Sequence, residues 1–290
     1  MIYTVTFSPS IDLYTDIKEL KIGEINRSNN PKYIVGGKGI NVSILLKKHG
    51  IESICTGFLG GFTGKYIRDE LDRMGIIHDF VNISDISRIN IKINSKDETA
   101  INLPVTKITT EEILTLFNKL RALNKGDFVL FCGAFPAELE LEPFLALLND
   151  FNNKGIYFII DTTKAFLKES IAFHPFLIKP NKDELEELYE LKNNYDVDMY
   201  AKQLIIDGAQ NAIVSLGQDG AILTNKNICY HINAPKGDVI STVGAGDSLL
   251  GGFLYSYING YDIKESAKYG VLCGSYCCFN GKIPSKDDII

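Results

Sequence analysis

The sequence predicts an α/β fold with a mostly parallel central sheet flanked by helices. Short runs rich in Ile, Val and Phe alternate with longer helical patterns along most of the 290 residues. The run IYTVTF (2–7) predicts a first strand, and GINVSILLKKHG (39–50) predicts a helix. Strands separated by helices of this length are typical of βαβ units, whose strands run parallel.

The same alternation continues along the chain. We expect further strands over 53–60, 127–133, 156–161 and 211–217, and further helices over 63–75, 140–155, 182–189 and 196–208. Gly50 and Gly75 end two of the predicted helices, as glycine commonly does.

Two stretches break this alternation. Residues 13–35 are extended and polar, and SRINIKINSKDETAINL (87–103) alternates Ile with polar residues at period two. That period predicts an antiparallel hairpin with one apolar face. We expect the two stretches, about 13–35 and 87–105, to form a small β-sheet lid on a single domain of residues 1–290.

The amino-acid composition of the chain argues against several classes of function. The formal net charge of −6 argues against a broad surface for nucleic acid or for an acidic membrane. No run of about 18 apolar residues predicts a membrane span. Six cysteines without metal-site spacing, and no leader-like N-terminal segment, predict a reduced, cytoplasmic protein. Cys273, Cys277 and Cys278 share one apolar helical stretch, where core packing is expected rather than metal or redox chemistry.

The stretch STVGAGDSLLGGF (241–253) carries the clearest chemical signal. Gly244, Ala245 and Gly246 precede a helical run, where backbone N–H groups and the helix dipole together attract an anion such as a phosphoryl group. Asp247 then has two possible roles: it caps the helix, or it takes a proton from a hydroxyl that attacks the bound phosphoryl group. The stretch lacks the GK[ST] of a P-loop and the early G-x-G-x-x-G of a dinucleotide site.

Several blocks resemble the PfkB, or ribokinase-like, carbohydrate kinases. GGKGINVSILLKKHG (36–50) is similar to the N-terminal signature of that family, and STVGAGDSLLGGF is similar to its C-terminal signature. MIYTVTFSPSIDLY (1–14), LIKPNKDEL (177–185) and IVSLGQDGAIL (213–223) extend the resemblance over nearly the whole chain. MIYTVTFSPSIDLY resembles the opening strand of the family together with its substrate-binding Asp. Among subfamilies, SRINIK and APKGDVISTVGAGDS look most like 1-phosphofructokinases, with tagatose-6-phosphate kinases next.

The resemblance implies a ribokinase-like fold and transfer of a phosphoryl group from ATP, with Mg²⁺, to a phosphorylated ketohexose. Fructose 1-phosphate is the first expectation for the acceptor, and tagatose 6-phosphate or fructose 6-phosphate is the alternative. A non-catalytic sugar-phosphate sensor is the alternative from another class. By the same resemblance Asp247 is the base, the backbone of 244–246 is the anion hole, and two copies pair through the lid.

The remaining candidates form an acceptor set and a nucleotide set. The residues expected to bind the sugar hydroxyls or the phosphate that the substrate carries are Asp12, Gly36, Gly37, Asn41, Lys38, Arg27, Arg88 and Lys92. The residues expected around ATP are Lys179, Asn181, Glu184, Ser215, Gly217, Gly220 and Thr242.

Each of these assignments has a structural alternative. Asn181 and Glu184 are expected to organise Mg²⁺ through its waters, but their spacing equally predicts a capping box at the start of a helix. SLGQDG (215–220) equally predicts a plain hairpin turn. Each cation of the acceptor set, taken alone, is more often a solvated surface charge.

The chain departs from the family pattern at three places on the acceptor side. Ser8 stands where the family usually has Asn, and AINLPVTKI (100–108) lacks two usual glycines. Ala134, in GAFPAEL (133–139), stands where a hydroxyl would help to bind the substrate phosphate. We therefore expect the chemistry of a kinase, and we expect that these changes can alter which sugar phosphate serves as the acceptor.

Overall fold

A computed structural model describes residues 1–97, 99–136, 138–162, 164–192 and 195–289. Glu98, within the predicted lid, and Ala137, within the 133–139 loop, lie outside the described residues. The same holds for Thr163, Asn193, Asn194 and Ile290.

The described residues form fourteen strands and nine α-helices. The strands are β1 Ile2–Thr6, β2 Ser10–Asp16, β3 Asn29–Gly36, β4 Ile54–Gly60, β5 Ile77–His78, β6 Val81–Ile83, β7 Arg88–Asn94, β8 Thr99–Asn102, β9 Phe128–Cys132, β10 Tyr157–Asp161, β11 Leu177–Ile178, β12 Asn211–Ser215, β13 Ala221–Asn225 and β14 Cys229–Ile232. The helices are α1 Lys38–Lys48, α2 Gly61–Arg73, α3 Thr110–Arg121, α4 Leu141–Lys154, α5 Lys164–Ile171, α6 Lys182–Tyr189, α7 Val197–Ile206, α8 Ala245–Ile258 and α9 Ile263–Asn280.

The larger sheet is mostly parallel, as predicted. Its strand order is β14-β13-β12-β11-β10-β9-β1-β4-β5, with β6 paired to β4. The pairs β12–β13 and β13–β14 are antiparallel, and the other pairs are parallel. Helices flank both faces of this sheet, so alternate residues of β9 point to opposite faces and enter different cores. Val129 and Phe131 pack in one core with Phe117 of α3, whereas Phe128 and Leu130 pack in another with Phe253 of α8.

The smaller sheet, which we call the lid sheet, has the order β3-β2-β7-β8. The predicted hairpin is confirmed, since β7 and β8 are antiparallel, and β2 joins the two hairpins by pairing parallel to β7. The predicted start of the lid at residue 13 is wrong. The first strand ends at Thr6 and the lid sheet begins at Ser10, so Asp12 lies in the lid sheet and not in the opening strand. Pro9, which has no N–H group, separates the two strands and cannot continue a central ladder.

The predicted helices are all present, and so are the predicted strands, with bounds that differ by at most two residues. The strands β5, β6 and β11 were not predicted, because two or three residues are too few to show a period, and β14 and α3 were not predicted either. Cys273 and Cys277 are buried in α9, which confirms their core role, whereas Cys278 is half-buried. No helix among the described residues has both the length and the apolar character needed to cross a bilayer.

Gly57 permits the closest backbone approach in the main sheet. It lies in β4 with φ of 132°, opposite Thr6 of β1, and a Cβ atom there would stand 1.9 Å from the Thr6 carbonyl oxygen. We expect Gly57→Ala to lower the free energy of unfolding by about 3 kcal/mol or more, because backbone cannot move aside as a flexible side chain can. Urea unfolding followed by circular dichroism measures the loss.

Gly126→Ala is the matched control for this substitution. Gly126 has φ of 87°, yet nothing lies within 4 Å of the added carbon. It therefore carries the left-handed backbone strain without the collision, and we expect a loss of about 1 kcal/mol. Equal losses in the two variants would show that the contact with Thr6 is unimportant.

Candidate active site

The carboxyl ends of three parallel strands lie at one edge of the main sheet. β10 ends at Asp161, Lys179 follows β11, and β12 ends at Ser215. Ligands of open α/β sheets bind outside such strand ends. The starts of α1 and α8 join at the same place, since Asn41 of α1 bonds to Asp247 of α8. The fold thus brings residues from five elements to one edge of the main sheet.

Asp247 lies in the first turn of α8 and does not cap it. The helix begins at Ala245 after Gly244, whose φ is 79°, and among the described residues no side-chain hydrogen bond caps this helix start. The capping alternative is therefore not realised. The Asp247 carboxylate instead accepts a hydrogen bond from Asn41 Nδ2 at 2.8 Å, and the residue is 7% exposed.

The surroundings of Asp247 raise its pKa to about 6. Burial is the main cause, and the neighbouring Asp161 carboxylate adds to it, while Asn41, Lys38 and Lys179 favour the ionised form. A carboxylate with this pKa is ionised above pH 6 and is still a better proton acceptor than an ordinary aspartate. This is the range in which a general base works well near neutral pH.

Asp161 is a buried carboxylate that was not predicted from the sequence to belong to the site. Its Oδ1 lies 3.4 Å from Lys38 Nζ and 3.3 Å from Lys179 Nζ, and its side chain is 1% exposed. Burial raises the pKa of Asp161, but the two ammonium groups outweigh it and hold the pKa below its ordinary value. The only signal in the sequence was the position of this Asp at the end of the apolar run IYFIID.

The same ion pairs fix the place of both lysines. Burial lowers the pKa of Lys38, yet the carboxylates of Asp161, Glu184 and Asp247 raise it overall. The structure places Lys38 among these groups at the strand ends, whereas Arg88 of the acceptor set lies on the lid sheet.

Lys179 lies against the predicted anion hole. A Cβ atom added at Gly246 would stand 3.2 Å from Lys179 Nζ, and the lysine side chain is 5% exposed. A nearly buried ammonium group beside the first amides of a helix is well suited to an anion. The arrangement can hold a phosphoryl group and neutralise its charge.

The acceptor candidates on the lid sheet form a second polar cluster. Asp12 Oδ1 accepts hydrogen bonds from Ser10 Oγ at 2.8 Å and from Asn90 Nδ2 at 2.9 Å. Arg88 is half-buried near Asp12, and burial lowers its pKa while Asp12 opposes that effect. Lys92 lies farther along the same strand as Arg88.

Lys92 and Arg27 lie at the margin of this cluster. Lys92 Nζ donates to Asn102 Oδ1 at 2.9 Å, within the β7–β8 hairpin. Arg27 is exposed in the segment between β2 and β3. A phosphate-binding role for these two residues stays a prediction.

Gly36 and Gly37 are required by packing of the chain itself. A Cβ atom at Gly36 would stand 2.6 Å from Ser10 Oγ and 2.7 Å from Asp12 Oδ2. Gly37 has φ of 136°, and a Cβ atom there would stand 2.8 Å from Thr6 Cγ2. These contacts alone explain the glycines, so close approach of a sugar to them stays a prediction.

Asn181 and Glu184 form the capping box that was the alternative interpretation of their spacing. Asn181 Oδ1 accepts from the Glu184 amide at 2.7 Å, and Glu184 Oε2 accepts from the Asn181 amide at 2.9 Å. A carboxylate has about four acceptor sites, so the box leaves Glu184 able to bind a further ligand. In the part of the chain that the structure describes, no group of three or more His, Cys, Asp or Glu side chains is placed to hold a metal.

The other nucleotide candidates border this box. Ser215 N donates to Pro180 O at 3.0 Å, which joins β12 to the residue before Asn181. Gly217 and Gly220 lie in the turn between β12 and β13, so the hairpin alternative is realised. A Cβ atom at Gly220 would stand 1.9 Å from Ile232 O, which is reason enough for a glycine there. Thr242 is exposed just before α8.

A family model for the "pfkB family carbohydrate kinase" matches residues 5–282 of the chain. The chain belongs to the pfkB family of carbohydrate kinases. It is thus a phosphotransferase that acts on a sugar hydroxyl and uses ATP. A 1-phosphofructokinase from Borreliella burgdorferi is 40% identical to this kinase, with coverage of 100% of this chain and 95% of the relative. A D-tagatose-1-phosphate kinase from Bacillus licheniformis is 33% identical, with coverage of 97% and 93%.

Solved structures agree with this assignment. A crystal structure of a putative phosphofructokinase from Staphylococcus aureus has a TM-score of 0.88 at 36% identity, and covers 100% of this kinase and 95% of that chain. A ribokinase from Thermotoga maritima has a TM-score of 0.82 at 21% identity, with coverage of 100% and 97%. The fold of this kinase is therefore ribokinase-like, as the sequence motifs imply.

Proposed function

We propose that this kinase transfers the γ-phosphoryl group of ATP to fructose 1-phosphate and forms fructose 1,6-bisphosphate and ADP. The observation that carries the proposal is the buried Asp247 carboxylate, which lies in the first turn of α8 near Lys179. A base and an anion site then lie next to each other, as phosphoryl transfer to a hydroxyl requires. The sugar assignment is supported by the 40% identical 1-phosphofructokinase.

In the proposed reaction Asp247 accepts the proton of the C6 hydroxyl of the sugar. The oxygen of that hydroxyl forms a bond to the γ-phosphorus as the bond between phosphorus and the β–γ bridging oxygen breaks, and ADP leaves. The backbone amides of 244–246, with Lys38 and Lys179, neutralise the charge on the transferring group. Asn41 keeps the Asp247 carboxylate turned toward the acceptor.

Asn181 and Glu184 are the residues that we propose for holding Mg²⁺, through its waters. The ion, when bound, neutralises charge on the ATP phosphates. Lys179, Ser215, Gly217, Gly220 and Thr242 are proposed to surround the nucleotide. On the acceptor side we propose Asp12 for a sugar hydroxyl and Arg88 for the phosphate that the substrate already carries, with Arg27 and Lys92 near that phosphate.

An ADP-release assay with MgATP tests the proposal. We expect turnover with fructose 1-phosphate to exceed turnover with fructose 6-phosphate, tagatose 6-phosphate, tagatose 1-phosphate and unphosphorylated fructose. Removal of Mg²⁺ with a chelator is expected to stop turnover, and added Mg²⁺ is expected to restore it. Fastest turnover with another sugar would reject the substrate assignment, and no turnover with any of them would favour a sugar-phosphate sensor.

A tagatose phosphate is the second candidate acceptor. The 33% identical D-tagatose-1-phosphate kinase supports it. The departures at Ser8, 100–108 and Ala134 also favour an altered acceptor site. Fructose and tagatose differ only in the configuration at C4, so the comparison of their 1-phosphates in the same assay decides between them.

We also propose a homodimer formed through the lid sheet. Apolar side chains on the lid are exposed, among them Ile22, Ile25, Tyr33, Ile34 and Ile101. Exposed apolar patches of this kind commonly mark protein interfaces. Sedimentation at micromolar concentration is expected to give the mass of two chains, and Ile34→Asp the mass of one; a single-chain mass for the unaltered protein would contradict the pairing.

A cytoplasmic location completes the proposal. All six cysteines are free thiols. Free thiols in this number are typical of proteins that stay in a reducing compartment.

A further inference from the structure

Polar side chains from two strands share one face of the lid sheet. Ser10 and Asp12 of β2 stand opposite Arg88 and Asn90 of β7 in the parallel register. Residues two apart along a strand point to the same side, so all four side chains lie on one face. This is the face that also meets Gly36, just before α1.

Asn90 fixes the Asp12 carboxylate from the neighbouring strand. Its Nδ2 group donates to Asp12 Oδ1 at 2.9 Å and lies 3.2 Å from Ser10 Oγ. The orientation of the carboxamide follows from this contact, because the amide oxygen would face the carboxylate oxygen if the group were turned over. Asn90 Oδ1 therefore points elsewhere.

Two buried polar atoms of this cluster have no hydrogen-bond partner among the residues that the structure describes. They are Asn90 Oδ1, in a residue that is 7% exposed, and Arg88 Nε. Buried polar atoms in native proteins are nearly always hydrogen-bonded, so an acceptor and a donor without partners on the same face of β7 indicate a ligand that supplies both hydrogen bonds. A sugar phosphate does so, since its hydroxyls donate and its phosphate accepts.

We propose that Asn90 is an acceptor-binding residue whose Oδ1 accepts a hydrogen bond from a secondary ring hydroxyl of the sugar. Asp12 accepts a hydrogen bond from a neighbouring hydroxyl, so the two residues together select a ketohexose that carries both hydroxyls. The inference rests on the proposed function and deepens it.

We combine variants of the kinase with deoxy analogues of the sugar and measure kcat/KM for each pair. This tests whether Asn90 binds the sugar itself or only holds Asp12 in place. The substrates are fructose 1-phosphate and its 3-deoxy and 4-deoxy analogues. For the unaltered kinase we expect one analogue to lower kcat/KM by about 30-fold or more. Asn90→Leu, similar in shape, is expected to lower kcat/KM for the parent sugar by a similar factor but to leave the rate on that analogue nearly unchanged.

Ser10→Ala is the matched control, because it removes the other donor to Asp12 Oδ1 and leaves the Asn90 oxygen in place. Because Ser10 acts through Asp12, its effect is expected to vanish on the analogue that lacks the hydroxyl bound by Asp12 and to multiply with that of the other analogue. The inference is overturned if Asn90→Leu loses its effect only on the analogue on which Ser10→Ala also loses its effect, or on neither analogue, since the residue would then act only through Asp12 or without contact to the sugar. Asn90→Ala replaces the leucine variant if circular dichroism shows that the latter does not fold. An unaltered kinase that is inactive on every ketohexose phosphate would reject the proposed function itself, which is a distinct result.

Discussion

Asp247→Asn is expected to lower kcat by about 10³-fold with little change in KM for the sugar phosphate. The amide keeps the size of the side chain and can still accept from Asn41 Nδ2, but it cannot take a proton from the attacking hydroxyl. For the unaltered kinase, kcat/KM is expected to fall as pH drops below about 6, where Asp247 becomes protonated. Steady-state kinetics between pH 5 and 8 measures both effects.

The same substitution is expected to stabilise the fold at neutral pH. The pKa of Asp247 is about 6 in the folded protein, above the ordinary value of 3.8, so ionisation is harder in the folded state. The stability that this group contributes is complete below pH 3.8 and is lost as pH rises through 6. Asparagine avoids that loss, and we expect about 1–2 kcal/mol more stability at pH 7.5 and a smaller gain near pH 5.

Asp287→Asn is the control for the change in net charge, because Asp287 is exposed. It is expected to alter neither kcat nor the urea midpoint. An Asp247→Asn variant with more than a tenth of the normal kcat would contradict the role of Asp247 as base.

Asp161→Asn is expected to destabilise the fold and to impair catalysis. The asparagine leaves the Lys179 ammonium group, on a side chain that is 5% exposed, without its charged partner. Removal of one member of a buried ion pair commonly costs about 3 kcal/mol or more. With both lysines less firmly held beside the anion hole, we expect kcat to fall by about 10- to 100-fold. Urea unfolding and steady-state kinetics measure the two losses.

The pH profile distinguishes this electrostatic role from a general loss of structure. The Asp161 carboxylate raises the pKa of Asp247, so its removal is expected to shift the acidic limb of kcat/KM to lower pH. Asp69→Asn is the matched control, since its ion pair with Lys65 is exposed and contributes little. An unmoved acidic limb would contradict the coupling of Asp161 to Asp247.

Local motifs were enough to predict the helix start at Gly244 to Asp247 but not the buried charges that lie beside it. Gly244 to Asp247 form a contiguous block, so their position at a helix start was readable from the sequence. Asp161 was missed because an aspartate after an apolar strand is common, and its electrostatic role depends on two lysines that are distant in the chain. Lys179 meets it because β10 and β11 pair, and Lys38 reaches it from the start of α1.

The lid sheet, too, could be predicted only where the pattern is local in the sequence. Period two in 87–103 predicted the hairpin, but the parallel pairing of β2 with β7 joins residues about eighty positions apart and leaves no local trace. That pairing moves Asp12 into the lid sheet and places Asn90 beside it. The capping box of Asn181 and Glu184 and the hairpin at 217–220 were the plainer alternatives, and the structure contains both.

The most direct test of the account is ³¹P NMR of the kinase with MgATP and fructose 1-phosphate. We predict that the γ-phosphate signal of ATP decays while a second phosphomonoester signal, that of a phosphate on C6, grows in equal amount. The same mixture with Asp247→Asn is predicted to stay unchanged on this time scale. Release of inorganic phosphate with the sugar phosphate unaltered, or equal transfer by the variant, would contradict it.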